Sequence, residues 1–303
     1  MTITPDQITH KKLILVRQMF SRASILSSRE HSTVDKIMAL VAFDLTVETL
    51  LKIVVSSLDA TRTPSDSFQG LITQANTLLQ TNSMKPVPDQ GHIQHIHSLR
   101  NDAQHKTKYP NKSDLDDSRV YVRDFLKTFV NDVYGIDFES ISQTELVNHS
   151  EIKKNLIDAE NYFKNGDYKQ AAEWANIGLQ TAVNYAGKPF VGSSTDFLFD
   201  NIVTTSSFRG QEGNRDITKA FKRMQNTLRH VALGLDYSDK VRFNKIAGYV
   251  MFQLGGGHDV SNMKENISED EAEFVLSFAI NAIIQIENRV GDLEKPFGEE
   301  YWL

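Results

Sequence analysis

The chain has 303 residues, 40% of them hydrophobic and 24% charged. These proportions exclude a collagen-like, extensively disordered or membrane-embedded protein, and the length fits two compact domains. With 33 Lys and Arg against 39 Asp and Glu the net charge is −6, so any nucleic-acid site must be a local patch rather than a global cationic field.

Cysteine is absent, which excludes disulfides, thiol nucleophiles and thiolate metal sites and fits a reducing compartment. The longest uninterrupted apolar stretch, 37–43, is far too short to span a bilayer, and the polar residues 1–12 lack a signal-peptide core; the cytoplasm is the expected location. GxxxxGK(S/T), HExxH, GxSxG and the EF-hand loop do not occur in the sequence, which removes the commoner motif-defined enzyme classes.

Apolar residues recur three and four apart over long windows, and strand-like alternation is scarce. An all-α fold of two antiparallel helical bundles is therefore expected. The first helix covers 8–26. The second, 32–58, carries Ile37, Leu40, Val41, Leu45, Val47, Leu50, Leu51 and Val54 and opens on Ser-Thr-Val-Asp, whose hydroxyls suit an N-cap. Beyond the breaker-rich Thr61-Arg62-Thr63-Pro64-Ser65, a third helix covers 68–79. The turn Pro86-Val87-Pro88-Asp89 leads to a fourth over 90–105, and Ser113-Asp114-Leu115-Asp116 is expected to cap a fifth that runs to 133. Residues 135–148 are polar and weakly periodic, which places a boundary between a domain at 1–138 and another at 149–303.

In the second domain 151–185 reads as a helix hairpin around Asn165-Gly166-Asp167-Tyr168. The small residues Ala171, Ala172 and Ala175 allow close approach, a pattern shared by tetratricopeptide-like units and other helix hairpins. Further helices are expected over 216–235, 240–252 and 268–287, the last with acids at the positive end of its dipole.

The stretch Leu99-Arg100-Asn101-Asp102-Ala103-Gln104-His105-Lys106 gathers a permanent guanidinium, an amide and an imidazole within six residues. Those groups suit phosphoryl transfer without a metal or other cofactor. Arg100 can clamp a phosphate and stabilise the charge of a pentacoordinate transition state, and His105 can take or give a proton. Arg100, Asn101 and His105 are thus the candidate catalytic residues. The plainer reading makes Arg100 the partner of a carboxylate and His105 a cation at a helix C-terminus.

This stretch resembles the R-x(4–6)-H signature of the HEPN superfamily (higher eukaryotes and prokaryotes nucleotide-binding), including the Asn directly after the Arg. The long buried helix around 35–55, with Glu48 as its acidic residue, and the loop containing Pro110 before a capped helix extend the likeness over 8–138. The resemblance implies a helical bundle that dimerises so that two Arg/His motifs share one cleft. It also implies metal-independent RNA cleavage that leaves a 2′,3′-cyclic phosphate, with Arg100 as phosphate clamp, Asn101 as a positioning group and His105 as acid or base. RNA, tRNA included, is the implied substrate, and a toxin or antiphage-defence role with an antitoxin or regulatory protein is the implied setting. Five residues on a helix rotate by about 140°, so Arg100 and His105 do not share one stripe, and a second subunit is expected to complete the site.

Asp44 and Glu48, one turn apart on a mainly apolar face, are candidate supporting acids; Glu48 orients Arg100 or its neighbourhood, or the pair forms a solvent-facing rim. Of the nine histidines, His92, His95, His97 and His105 are clustered, but only His92 and His95 have a good helical pair spacing, and no metal site is expected. Lys106, Lys108 and Lys112, with Arg100, oppose Asp102 alone between 100 and 112, a local basic patch suited to RNA.

Arg223 and His230 could be a second, divergent copy of the signature, although Met224 stands where Asn would be expected and an apolar stripe of Ile217, Phe221, Met224, Leu228 and Val231 explains the helix without catalysis. With the hairpin at 151–185, this makes a second HEPN-like or tetratricopeptide-like bundle the expectation for 149–303. Gly255-Gly256-Gly257-His258 reads as a flexible connection. Two functions follow as expectations: a dimeric ribonuclease, or a non-catalytic helical module that binds RNA or a protein partner.

Overall fold

A computed structural model describes residues 2–29, 32–106, 108–187, 230–252 and 257–294. Among the described residues the fold is all-α apart from one small two-stranded sheet. The chain divides into two compact units, Met1–Gln143 and Thr144–Leu303. No helix among the described residues is long and apolar enough to cross a membrane.

The N-terminal unit contains α1 (Gln7–Ser27), α2 (Thr33–Leu58), α3 (Phe68–Thr81), α4 (Gln90–His105) and α5 (Lys112–Tyr134). Helix α2 touches each of the other four, which accounts for its apolar surface: Leu40, Phe43, Val47, Leu50, Leu51 and Val54 are all buried. The Oγ of Ser32 accepts the Asp35 N–H at 3.1 Å and fixes where α2 begins. The N-cap of α5 is Asn111, not the Ser113–Asp116 stretch expected to serve. Its side chain and that of Asp114 form a reciprocal capping box, which starts the helix at Lys112. The helix ends at Gly135, whose φ of 67° suits glycine.

In the C-terminal unit α6 (Ser150–Lys164) and α7 (Tyr168–Gly187) form the helix hairpin. Gly178 lies so close to Leu156 that a Cβ built on it would meet the leucine side chain at 3.4 Å. Helix α8 (Tyr237–Ala247) stops at Gly248, and strand β1 (Tyr249–Phe252) pairs antiparallel with β2 (His258–Ser261). The helix expected over 240–252 is therefore corrected to a helix followed by a strand. Gly248 adopts φ 70°, and a Cβ there would collide with the Ser261 carbonyl oxygen, so the chain breaks from helix at the one residue that permits it. Tyr-Val-Met-Phe then supplies the β-branched and aromatic character of a strand. Helix α9 (Glu269–Val290) opens with a capping box between Ser268 and Glu271 and packs on α7 and α6.

Candidate functional site

Helix α4 is positioned from three sides. The Val87 N–H donates to Asn76 Oδ1 on α3 at 2.8 Å, which pins the turn before the helix. Gln94 donates to Gln69 at 2.9 Å, while Ile93, Ile96 and Ala103 are buried and Leu99 packs against Leu40 and Leu115. This narrow apolar ridge at helical spacing leaves His97 and Arg100, three residues apart, on its flank facing α2.

There they meet Asp44. Its carboxylate is 1% exposed, and it accepts from Arg100 Nε at 2.8 Å and from His97 Nδ1 at 3.0 and 3.1 Å. Asp44 is therefore no solvent-facing rim. A buried carboxylate without partners costs several kcal/mol, roughly, and the guanidinium and imidazole offset that cost. Glu48, one turn further along α2, stands 3.5 Å from both Arg100 Nη2 and Lys52 Nζ. Arg100 Nη1 donates to Asn101 Oδ1 at 2.8 Å and to Gln104 Oε1 at 3.3 Å. The guanidinium thus has hydrogen-bond acceptors at Nε and Nη1 and a looser ion pair at Nη2. The ring of His97 stacks on Phe68 of α3, with centroids 4.2 Å apart and planes 6° from parallel.

Arg100, Asn101, Asp44 and Glu48 are brought together. His105 is exposed at the last position of α4 and takes no part in the network. Asn101 and Gln104 project between Arg100 and His105 on the same broad face, which spans about 140°. Of the lysines, Lys106 lies 2.7 Å and Lys108 3.9 Å from Asp102, both 73% exposed. The Lys106 ammonium hydrogen-bonded to Asp102 holds that carboxyl below its ordinary range. Lys112 is exposed at the first position of α5. Arg100, counted with these lysines as part of a basic patch, is corrected to a member of the Asp44 network: its charge is already faced by two carboxylates, so the patch is weaker than the sequence suggests.

Asp44, Glu48 and His97 each place one ligand atom within 4.8 Å of the others. A divalent cation would meet Arg100 on the same carboxylates, so this spacing serves a cation only if the guanidinium moves away. His92, one of the four clustered histidines, stacks on Tyr121 with ring centroids 3.9 Å apart. Arg223 lies outside the described residues, as do Met224 and the rest of that stripe up to Leu228. His230 is half-buried, and its carbonyl accepts from the Leu235 N–H at 2.9 Å. Gly255 and Gly256 also lie outside the described residues, and His258 begins β2 against Trp174.

Sequence reasoning missed His97, Phe68 and Gln104. The available signal was the His-x-x-Arg spacing on α4 opposite the Asp-x-x-x-Glu spacing on α2, two pairs that each occupy one helical face. Comparison of the chain with protein-family models, with curated proteins and with solved structures finds no match.

Proposed function

We propose that the N-terminal unit is an endoribonuclease of the HEPN type. In this reading the ribose 2′-hydroxyl attacks the adjacent phosphodiester and leaves a 2′,3′-cyclic phosphate. Arg100 binds the phosphate, Asn101 holds Arg100, His105 moves a proton, and Lys106, Lys108 and Lys112 attract the RNA backbone. The resemblance that suggests this also suggests a homodimer through the face bearing the motif, and a toxin or antiphage-defence setting with a neutralising or regulatory protein. The C-terminal unit then selects substrate or regulates.

The observation that carries the reading is the fixed guanidinium. Acceptors at Nε and Nη1 set its plane before any phosphate arrives, and orientation settled in advance is the main contribution a protein makes to phosphoryl transfer. Arg100→Ala and His105→Ala should each lower cleavage of an RNA oligonucleotide by the full chain by about 10²–10⁴-fold, with the matching DNA left intact because it lacks the attacking hydroxyl. Full activity in both variants would refute the assignment.

A second reading, a helical module that binds RNA or protein without cutting, is favoured by one feature. Asp44 and Glu48 already balance the charge of Arg100, which reduces its attraction for phosphate. Binding to RNA that survives Arg100→Ala, with no product from the wild type, would select this reading.

A further inference from the structure

We infer that His97 is a catalytic residue of the same site, the base that takes the 2′-hydroxyl proton, with Asp44 fixing its tautomer. The inference rests on the ribonuclease reading above and adds to it a residue outside the Arg100–His105 stretch. An ionised carboxylate can only accept, so the contacts at 3.0 and 3.1 Å place the ring proton of a neutral His97 on Nδ1. Nε2 then carries the lone pair. The stack on Phe68 fixes the plane of the ring, and the side chain is 24% exposed. Among the described residues no hydrogen-bond partner occupies Nε2.

Bracing Asp44 explains the Nδ1 edge and packing explains the ring face, but neither calls for a lone pair left open beside Arg100. The two side chains share the Asp44 carboxylate and stand one helical turn apart, about 5–6 Å between Cβ atoms, and in this proposal Nε2 serves a phosphodiester held by Arg100. His105 differs in kind: exposed, without a hydrogen-bond or ion-pair partner among the described residues, it has no group to fix its tautomer. That suits the acid. The 2′-hydroxyl proton passes to Nε2 of His97, the 2′-oxygen forms its bond to phosphorus, and the bond from phosphorus to the 5′-oxygen breaks. The departing oxygen takes a proton from the His105 imidazolium. His97 returns its proton to water and His105 regains one, which restores the site without any further reactant.

The side-chain amide of Asn overlays the Cγ–Nδ1 edge of His and has nothing at Nε2, so His97→Asn keeps the donor to Asp44 and removes the base. With the full chain and a single-stranded RNA oligonucleotide, cleavage by His97→Asn should fall about 10²–10⁴-fold while its thermal unfolding midpoint drops only by what the lost stack on Phe68 contributes. His97→Ala, which also strips Asp44 of a donor, should lose the activity and lower the midpoint further. A cleaving wild type with an equally active His97→Asn would overturn the proposal and leave the ribonuclease reading intact. A wild type that cuts no RNA would overturn both.

Discussion

In the N-terminal unit the buried carboxylate of Asp44 receives a guanidinium at 2.8 Å and an imidazole at 3.0 Å. In the C-terminal unit the ammonium of Lys240, 5% exposed, lies 4.5 Å from the ring centre of Phe243 on its own helix, with no acidic partner among the described residues. Burial pushes this lysine down to about 8. One buried charge is held by a designed set of donors; the other yields part of its charge to its surroundings. A charged group that a core both buries and fully partners has a fixed orientation, which chemistry can use. A charged group merely buried has only a shifted equilibrium.

Asp44→Ala breaks the first half of that contrast most severely. It removes the acceptor of Arg100 Nε and His97 Nδ1, leaves Glu48 as the carboxylate facing the guanidinium, and should cost about 3 kcal/mol of stability in chemical denaturation. RNA cleavage should vanish with it.

Lys240→Met sharpens the second half. The folded-state value of about 8 lies below the ordinary lysine value of 10.5, so the folded protein binds the proton more weakly than the unfolded chain. The destabilisation is complete below about pH 8 and fades as pH rises towards 10.5. Lys240→Met should therefore stabilise the C-terminal unit by up to about 3 kcal/mol near neutral pH, with the advantage narrowing in alkaline denaturation curves. An equal gain at all pH values would show that packing, not charge, sets the difference.

Smaller effects probe how far partnering extends. Tyr134, pushed up to about 12 by burial, shares a hydrogen bond of 2.8 Å with Ser57, and Tyr134→Phe should cost about 1 kcal/mol. Lys106→Ala and Lys108→Ala should leave stability unchanged and lower the salt slope of RNA binding by about 0.7 per lost phosphate contact. Slopes equal to that of the wild type would place the RNA elsewhere.

The periodicity of α2 and the caps at Ser32 and Ser268 were legible because a helix boundary is written in neighbouring residues. The strand at Tyr249–Phe252 was not, since four apolar residues after a helix fit either period until Gly248 and the pairing with His258–Ser261 decide. At the site, Arg100, Asn101, Asp44 and Glu48 could be picked out by residue type and spacing, whereas His97 stood among three other histidines. What distinguishes it is a carboxylate 53 residues away in sequence. Only the crossing of α4 over α2 reveals that contact, as it reveals that Arg100 belongs with Asp44 more than with the lysines.

The decisive experiment is digestion of a defined RNA by the full chain in excess chelator, with the product ends identified. Metal-independent attack by the 2′-hydroxyl gives fragments ending in a 2′,3′-cyclic phosphate at an undiminished rate, reduced about 10²–10⁴-fold when Arg100 is replaced by Ala. Loss of cutting on chelation, or products bearing a 5′-phosphate, would contradict it.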